Sequence, residues 1–197
     1  MFMKKKVFSK IEIRDIIISV LVLAIVFAYP DFISNPQLIL TSLFVIGLGF
    51  IGHELSHKFV ARKFGFFAEY KMWYQGLLLA ILFAFATQGR MIFAAPGAVV
   101  FSAYFVFKRP HRHEVGKIGL AGPVFNIILL FLFASTFYLI QNPVFRFAAV
   151  VNGWLAIFNL IPFGPLDGQK VFSWDWRIWL VTITVAIGGF LLVSGII

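Results

Sequence analysis

Seven stretches of the chain carry no charged side chain: residues 16–29, 32–52, 72–89, 91–107, 118–145, 147–166 and 178–197. A helix that crosses the hydrocarbon core of a bilayer needs about 20 apolar residues, with roughly 17 the lower limit. Stretches of this length in such number leave little else for the chain to fold into. Composition agrees, with 61% hydrophobic and 13% charged residues, against about 45–50% and 25% in soluble domains. The expected fold is an α-helical polytopic membrane protein with five spans. Two short segments, 72–89 and 91–107, are either spans or a membrane-dipping β-hairpin region. The opening "MFMKKK" resembles the start of a signal peptide. No small-residue cleavage pattern follows, so 16–29 reads as an uncleaved first span even though Pro30 and Asp31 cut it short. No repeat or low-complexity linker divides the chain, and residues 1–197 read as one membrane domain with a core at about 37–170. The absence of cysteine excludes disulfides and thiolate metal sites.

The net charge of +9 raises the question of nucleic acid. Its distribution answers no. Lys4, Lys5, Lys6, Lys10 and Arg14 precede the first span, and Lys58, Arg62, Lys63 and Lys71 follow the second. Lys108, Arg109, Arg112 and Lys117 precede 118–145, and Lys170 and Arg177 precede the last. These four groups hold 15 of the 17 basic residues, leaving only Arg90 and Arg146 for the other turns. Basic residues favour cytoplasmic loops, which puts the N-terminus in the cytoplasm and the C-terminus outside a cell membrane. Clusters beside spans also suit anionic lipid head groups. The partners expected are therefore the bilayer and other membrane proteins. The sequence is silent on oligomeric state. Between Lys58 and Lys108 the chain must then cross twice or not at all, either as two short helices or as segments that dip in and return. "RMIFAAPGAVVFS" places a Pro-Gly turn signal between β-branched and aromatic residues, as a hairpin would.

At the end of the second stretch stands "GHELSH", residues 52–57. In a helix His53 and His57, four apart, share a face. Two imidazoles one turn apart can both bind zinc, and Glu54 beside them can act on the water the metal carries. The metal lowers the pKa of that water toward about 7. The carboxylate takes its proton and later passes it to the leaving amine. Shuffling a chain with this composition would produce the pattern only about 0.002 times. A polar helix end at the interface would explain one such residue better than three.

Catalytic zinc usually takes three protein ligands and leaves a position open. His111, His113 and Glu114 fall in "KRPHRHEVGK", which reads as a solvated basic loop, while Glu69 and Asp175 read as interfacial. Asp167 stands in "NLIPFGPLDG", where Pro162, Gly164, Pro165 and Gly168 break a helix otherwise uncharged from Phe147. Broken helices mark binding sites in membrane proteins, although an Asp-Gly turn is the simpler reading of the dipeptide alone. The span before His57 and the span before Asp167 run in the same direction. Both residues therefore arrive at the cytoplasmic side, and Asp167 is the expected third ligand.

These residues together resemble the site-2 proteases, zinc metalloproteases that cut within or beside transmembrane helices. "HELSH" is similar to their first metal motif and "NLIPFGPLDG", with Asn159, Pro162, Pro165, Leu166, Asp167 and Gly168, to their second. "AGPVFN", with Gly122, Pro123 and Asn126, is similar to the start of the intervening core helix. The resemblance covers residues 37–170. It implies one zinc held by His53, His57 and Asp167, with Glu54 as the base, and a membrane-dipping β segment ahead of the core helix. Gln169 replaces a frequent second glycine, and the region between the motifs is long and hydrophobic. No appended regulatory domain fits within the chain.

Asn159, eight residues before Asp167, is a candidate donor to the oxyanion formed during hydrolysis, and Asn126 is a second substrate or oxyanion candidate; each can equally be helix–helix glue. Gly122 and Pro123 read as close-packing and helix-start residues. The function expected is zinc-dependent intramembrane proteolysis of transmembrane protein substrates, of the regulated kind. A metal-binding transporter or an inactive protease-like scaffold is the alternative, since transport sites also place His and carboxylates at broken helices. Transport gives no reason for a Glu directly after the first His. A soluble-type protease on a membrane anchor fails, because both motifs lie within hydrophobic spans.

Overall fold

A computed structural model describes residues 7–90, 92, 95–103 and 110–195. Among them lie seven α-helices and a two-stranded antiparallel sheet. Helix α1 (Lys10–Ala28) starts on Ser9, whose Oγ accepts the Glu12 N–H at 3.0 Å. After a single 3-10 turn (Asp31–Ile33), α2 (Gln37–Lys63) runs 27 residues and ends at Gly65, whose φ of 80° suits only glycine without strain. Strand β1 (Phe66–Met72), the short helix α3 (Tyr74–Ala86) and strand β2 (Gly97–Ala103) follow. Then come α4 (Arg112–Ile140), α5 (Pro143–Asn159), the eight-residue α6 (Asp167–Trp174) and α7 (Trp176–Ser194).

Helix α4 is the centre, packed against α2, α5, α6 and α7. Its small residues explain how close those neighbours come. Gly116, Gly119 and Gly122 repeat every three residues, and a Cβ there would meet Trp174, the stem of Lys170, and the rings of His53 and His57. Pro123 lies inside α4, not at its start. The helix instead begins eleven residues earlier, at Arg112, in the stretch expected to be a solvated loop. His111 caps it and its backbone N–H donates to Glu114 Oε2 at 2.8 Å, an arrangement in which the acid sits in the first turn. The expected loop is thus the first turn of the core helix.

Among the described residues, three helices, α2, α4 and α7, are long and apolar enough to cross a membrane, and the five spans expected are not all matched by such helices. The first turns of α1 carry Glu12, Arg14 and Asp15, so its uncharged part is only 13 residues, and α5 has 17 residues before the chain breaks. The region between α2 and α4 also differs from both pictures. β2 begins at the expected Pro-Gly and pairs with β1, from Phe66↔Ala103 to Met72↔Gly97. Met91, Phe93 and Ala94 of that expected hairpin, and residues 104–109, lie outside the described residues, as do the N-terminal lysines 4–6.

β1 and α3 follow α1. The Tyr70 N–H meets Glu12 and the Met72 N–H meets Asp15 near the start of α1, while Phe85 of α3 stacks on Tyr29 at its end, with ring centroids 4.5 Å apart. A 13-residue α3 measures only about 20 Å. A strand and a helix in series therefore cover the length that α1 covers alone, and β2 returns along β1.

Candidate metal centre

Helix α2 carries His53, Glu54 and His57, all buried, in its last three turns. The 160–166 break lets α6 start at Asp167, which lies in the first turn of that helix, where a carboxylate complements the helix dipole. The close fit of Gly168 makes this approach possible, since a Cβ there would meet the backbone of Leu160 and Ile161.

Three atoms converge. His53 Nε2 and His57 Nε2 are 3.0 Å apart, and Asp167 Oδ2 lies 3.2 Å from the first and 2.9 Å from the second. Hydrogen bonds on the far side of each ring settle what these atoms present. His57 Nδ1 lies 2.6 Å from the Ile118 carbonyl, which can only accept, so Nδ1 carries the proton and Nε2 offers a lone pair. His53 Nδ1 lies 2.5 Å from Asn126 Oδ1. The Asn126 amide is itself oriented, because its Nδ2 donates to the Gly49 carbonyl at 3.1 Å and to Asn152 Oδ1 at 2.9 Å. Asn152 is fixed in turn by donating to the Ala148 carbonyl at 2.9 Å. His53 Nδ1 must therefore also donate, leaving a second bare Nε2.

Two imidazole lone pairs and a carboxylate oxygen within 3.2 Å of one another repel unless a cation lies between them. The edges of the triangle approach the roughly 3.3 Å that separates ligand atoms bonded tetrahedrally at about 2.0–2.1 Å. Neutral imidazoles and a carboxylate, each held from behind, form a donor set that fits zinc. A further mark is Glu54 Oε2, buried and without a hydrogen-bond partner among the described residues, beside the same space. Asp167 Oδ1 accepts from Lys170 Nζ at 2.8 Å.

The triad opens on a cavity of about 300 Å³ lined by Glu54, Asn126, Asn159 and Lys170 on the helical side and by residues 95–100 on the sheet side. The structure thus brings His53, Glu54, His57, Asp167, Asn126 and Asn159 to one place. It gives the two asparagines different situations. Both donor directions of Asn126 Nδ2 are committed to Gly49 and Asn152, which leaves no N–H for an oxyanion. Asn159 Nδ2 donates once, to the Leu155 carbonyl at 2.9 Å, and keeps a second N–H. Sequence reasoning passed over Asn152 and Lys170. A lone Asn in an apolar helix was the available signal for the first, and the three-residue spacing from Asp167 for the second.

No protein-family model and no solved structure matches the chain. Two curated proteins of Methanocaldococcus jannaschii do. The chain is 40% identical to the "Putative zinc metalloprotease MJ0611" over 188 residues, which is 92% of this chain and 93% of that protein. It is 30% identical to the "Zinc metalloprotease MJ0392" over 145 residues, 71% of this chain and 35% of that protein. The chain belongs to the family of zinc metalloproteases that these two proteins represent.

Proposed function

We propose that the protein is an intramembrane zinc endopeptidase of the site-2 protease type, which cuts peptide bonds in or near transmembrane segments of other membrane proteins. One observation carries this reading: among the described residues, a metal-type triad and a buried Glu54 oxygen without a hydrogen-bond partner share a cavity whose opposite wall is formed by strand β2, within a bundle containing three membrane-length apolar helices. One zinc per chain would be held by His53, His57 and Asp167. When bound, it supplies a Lewis acid that polarises the scissile carbonyl and makes an attacking water more acidic.

The residues of the chain supply the rest. Glu54 takes the proton of the attacking water and returns it to the leaving amine. Asn159, which lines the cavity and keeps an N–H, is the proposed donor to the oxyanion, a kind of contact whose removal costs about 2.7–4 kcal/mol elsewhere. Asn126 holds His53 in its tautomer and orientation. Substrate enters as an extended strand. In an antiparallel pair, residues alternate between turning their backbone groups toward the partner and away from it. Trp73 N–H donates to the Pro96 carbonyl at 2.7 Å and Tyr70 N–H points elsewhere, to Glu12. Gly97, Val99 and Phe101, opposite Met72, Tyr70 and Ala68, therefore turn their groups away from β1. A helix unwound in a membrane leaves its own amides without partners, and pairing along Gly97, Val99 and Phe101 satisfies them.

The positive-charge pattern supports a cytoplasmic N-terminus, an external C-terminus and a site near the cytoplasmic side of a cell membrane. Glu54→Gln tests the reading. Cleavage of a single-span substrate is expected to fall by about 10²–10⁴-fold, with one zinc per chain retained. Unchanged cleavage would end this account.

A further inference from the structure

The sheet has two edges, and helix α1 closes one of them. The outward N–H groups of β1 at Tyr70 and Met72 meet no third strand. They donate instead to carboxylates, Tyr70 to Glu12 Oε1 at 3.0 Å and Met72 to Asp15 Oδ2 at 3.3 Å. Three residues along a helix and two along a strand both advance about 5–7 Å, so acids one turn apart on α1 match alternate residues of β1.

This arrangement is tied to the metal helix. Lys58, directly after His57, donates to both Glu12 oxygens, at 2.6 and 2.5 Å, and lies 4.2 Å above the Phe8 ring. The Tyr70 hydroxyl and Ser19 Oγ are 2.8 Å apart, fixing the same register further along α1. Glu12 is 1% and Lys58 2% exposed. A buried ion pair is weak evidence for stability as such, and its placement on a strand edge points to a different purpose.

We propose that Glu12 and Asp15 are positioning residues that occupy the outer edge of β1 in place of a strand, so that an extended substrate can add only at β2, the edge that faces His53, Glu54 and His57. The inference rests on the strand-pairing reading given above. At a spacing of about 4.8 Å per strand, a segment added to β1 would lie roughly 14 Å from one added to β2, beyond reach of the metal. An unblocked β1 edge would therefore hold substrate unproductively.

Because the chain has no cysteine, single engineered cysteines report which edge is used. In the Glu54→Gln background, Val100→Cys reports the β2 edge and Glu69→Cys the β1 edge, by disulfide formation with a single-span substrate carrying one cysteine. Three versions are compared: the parent, an uncapped Glu12→Met/Asp15→Leu/Lys58→Met chain, and a Glu12→Gln/Asp15→Asn/Lys58→Met chain that restores the acceptors without the charges. The parent and the acceptor-restored chain are expected to cross-link through position 100 only. The uncapped chain is expected to cross-link through position 69 as well. With Glu54 intact, unproductive binding should lower kcat and KM together, by about twofold if the two edges share the substrate equally, with kcat/KM and zinc content kept. Should the triple variant not fold, Asp15→Leu alone frees the Met72 N–H and is read in the same way. Cross-linking at position 69 that stays at the parent level in a folded, zinc-loaded uncapped chain overturns the proposal. Failure of the parent to cross-link at position 100 overturns the strand-pairing reading, and this inference with it.

Discussion

His53 is held through a relay of amides. Its ring donates to Asn126, Asn126 donates to Asn152 and Gly49, and Asn152 donates to Ala148. Asn126→Leu removes the one acceptor that fixes the His53 tautomer and takes from Asn152 Oδ1 its Asn126 donor. Zinc affinity, titrated against a competing chelator, should fall by about 10–100-fold, the usual effect of losing the group behind a metal ligand. An unchanged affinity would show that the ring needs no such support. The histidines and Glu54 were legible in the sequence because the four-residue period of a helix is local. Asp167 was legible because prolines and glycines announced a break in an uncharged run. The relay was not. Asn126 and Asn152 meet across 26 residues of sequence, and an isolated Asn in an apolar helix looks the same whether it glues helices or orients a ligand. Gly122 was expected to allow close packing, and it does, but what packs there is the pair of histidine rings rather than another helix backbone.

The elements around the site work by proximity. Helix α6 has only eight residues, and its first turn reaches the histidines because Gly168 lies against the backbone of Leu160 and Ile161. Backbone cannot swing aside as a flexible side chain can. Gly168→Ala should therefore push α6 outward and weaken zinc binding by roughly tenfold, although residue 168 is not itself a ligand. Retained affinity would mean that the 160–166 segment yields more readily than its packing indicates. Helix α4 was readable as an uncharged run, but its start was masked by the basic residues of its first turns. β1 was hidden in a different way. "FFAEYKM" does alternate, with Phe66, Ala68 and Tyr70 buried and the residues between them less so. Glu69 and Lys71 on the second face made it look like an interfacial connection. Its partner lies beyond α3, and no local period reveals a pairing at that distance.

On the scale of the whole molecule, α2, α4 and α7 present apolar faces outward, including Leu40, Phe44, Ile128, Leu132, Val181 and Leu192. Faces of this kind need a hydrocarbon environment or a partner, and the lengths of the three helices suit a bilayer. The helices and the uncharged runs of the sequence do not share boundaries. Charged residues open α1, the run at 118–145 contains the Gln141–Asn142 turn between two helices, and the run at 147–166 ends in the break before α6. The central claim, that this zinc-protease site acts on membrane-embedded substrate, is tested most directly by locating the cut. The purified chain in liposomes would be given a single-span substrate with long soluble flanks, and the products would be mapped by mass spectrometry with and without a zinc chelator. Chelator-sensitive cleavage inside the apolar segment, or within a few residues of its end, is the predicted result. Cuts confined to the soluble flanks would contradict the account and leave a metalloprotease that merely resides in the membrane.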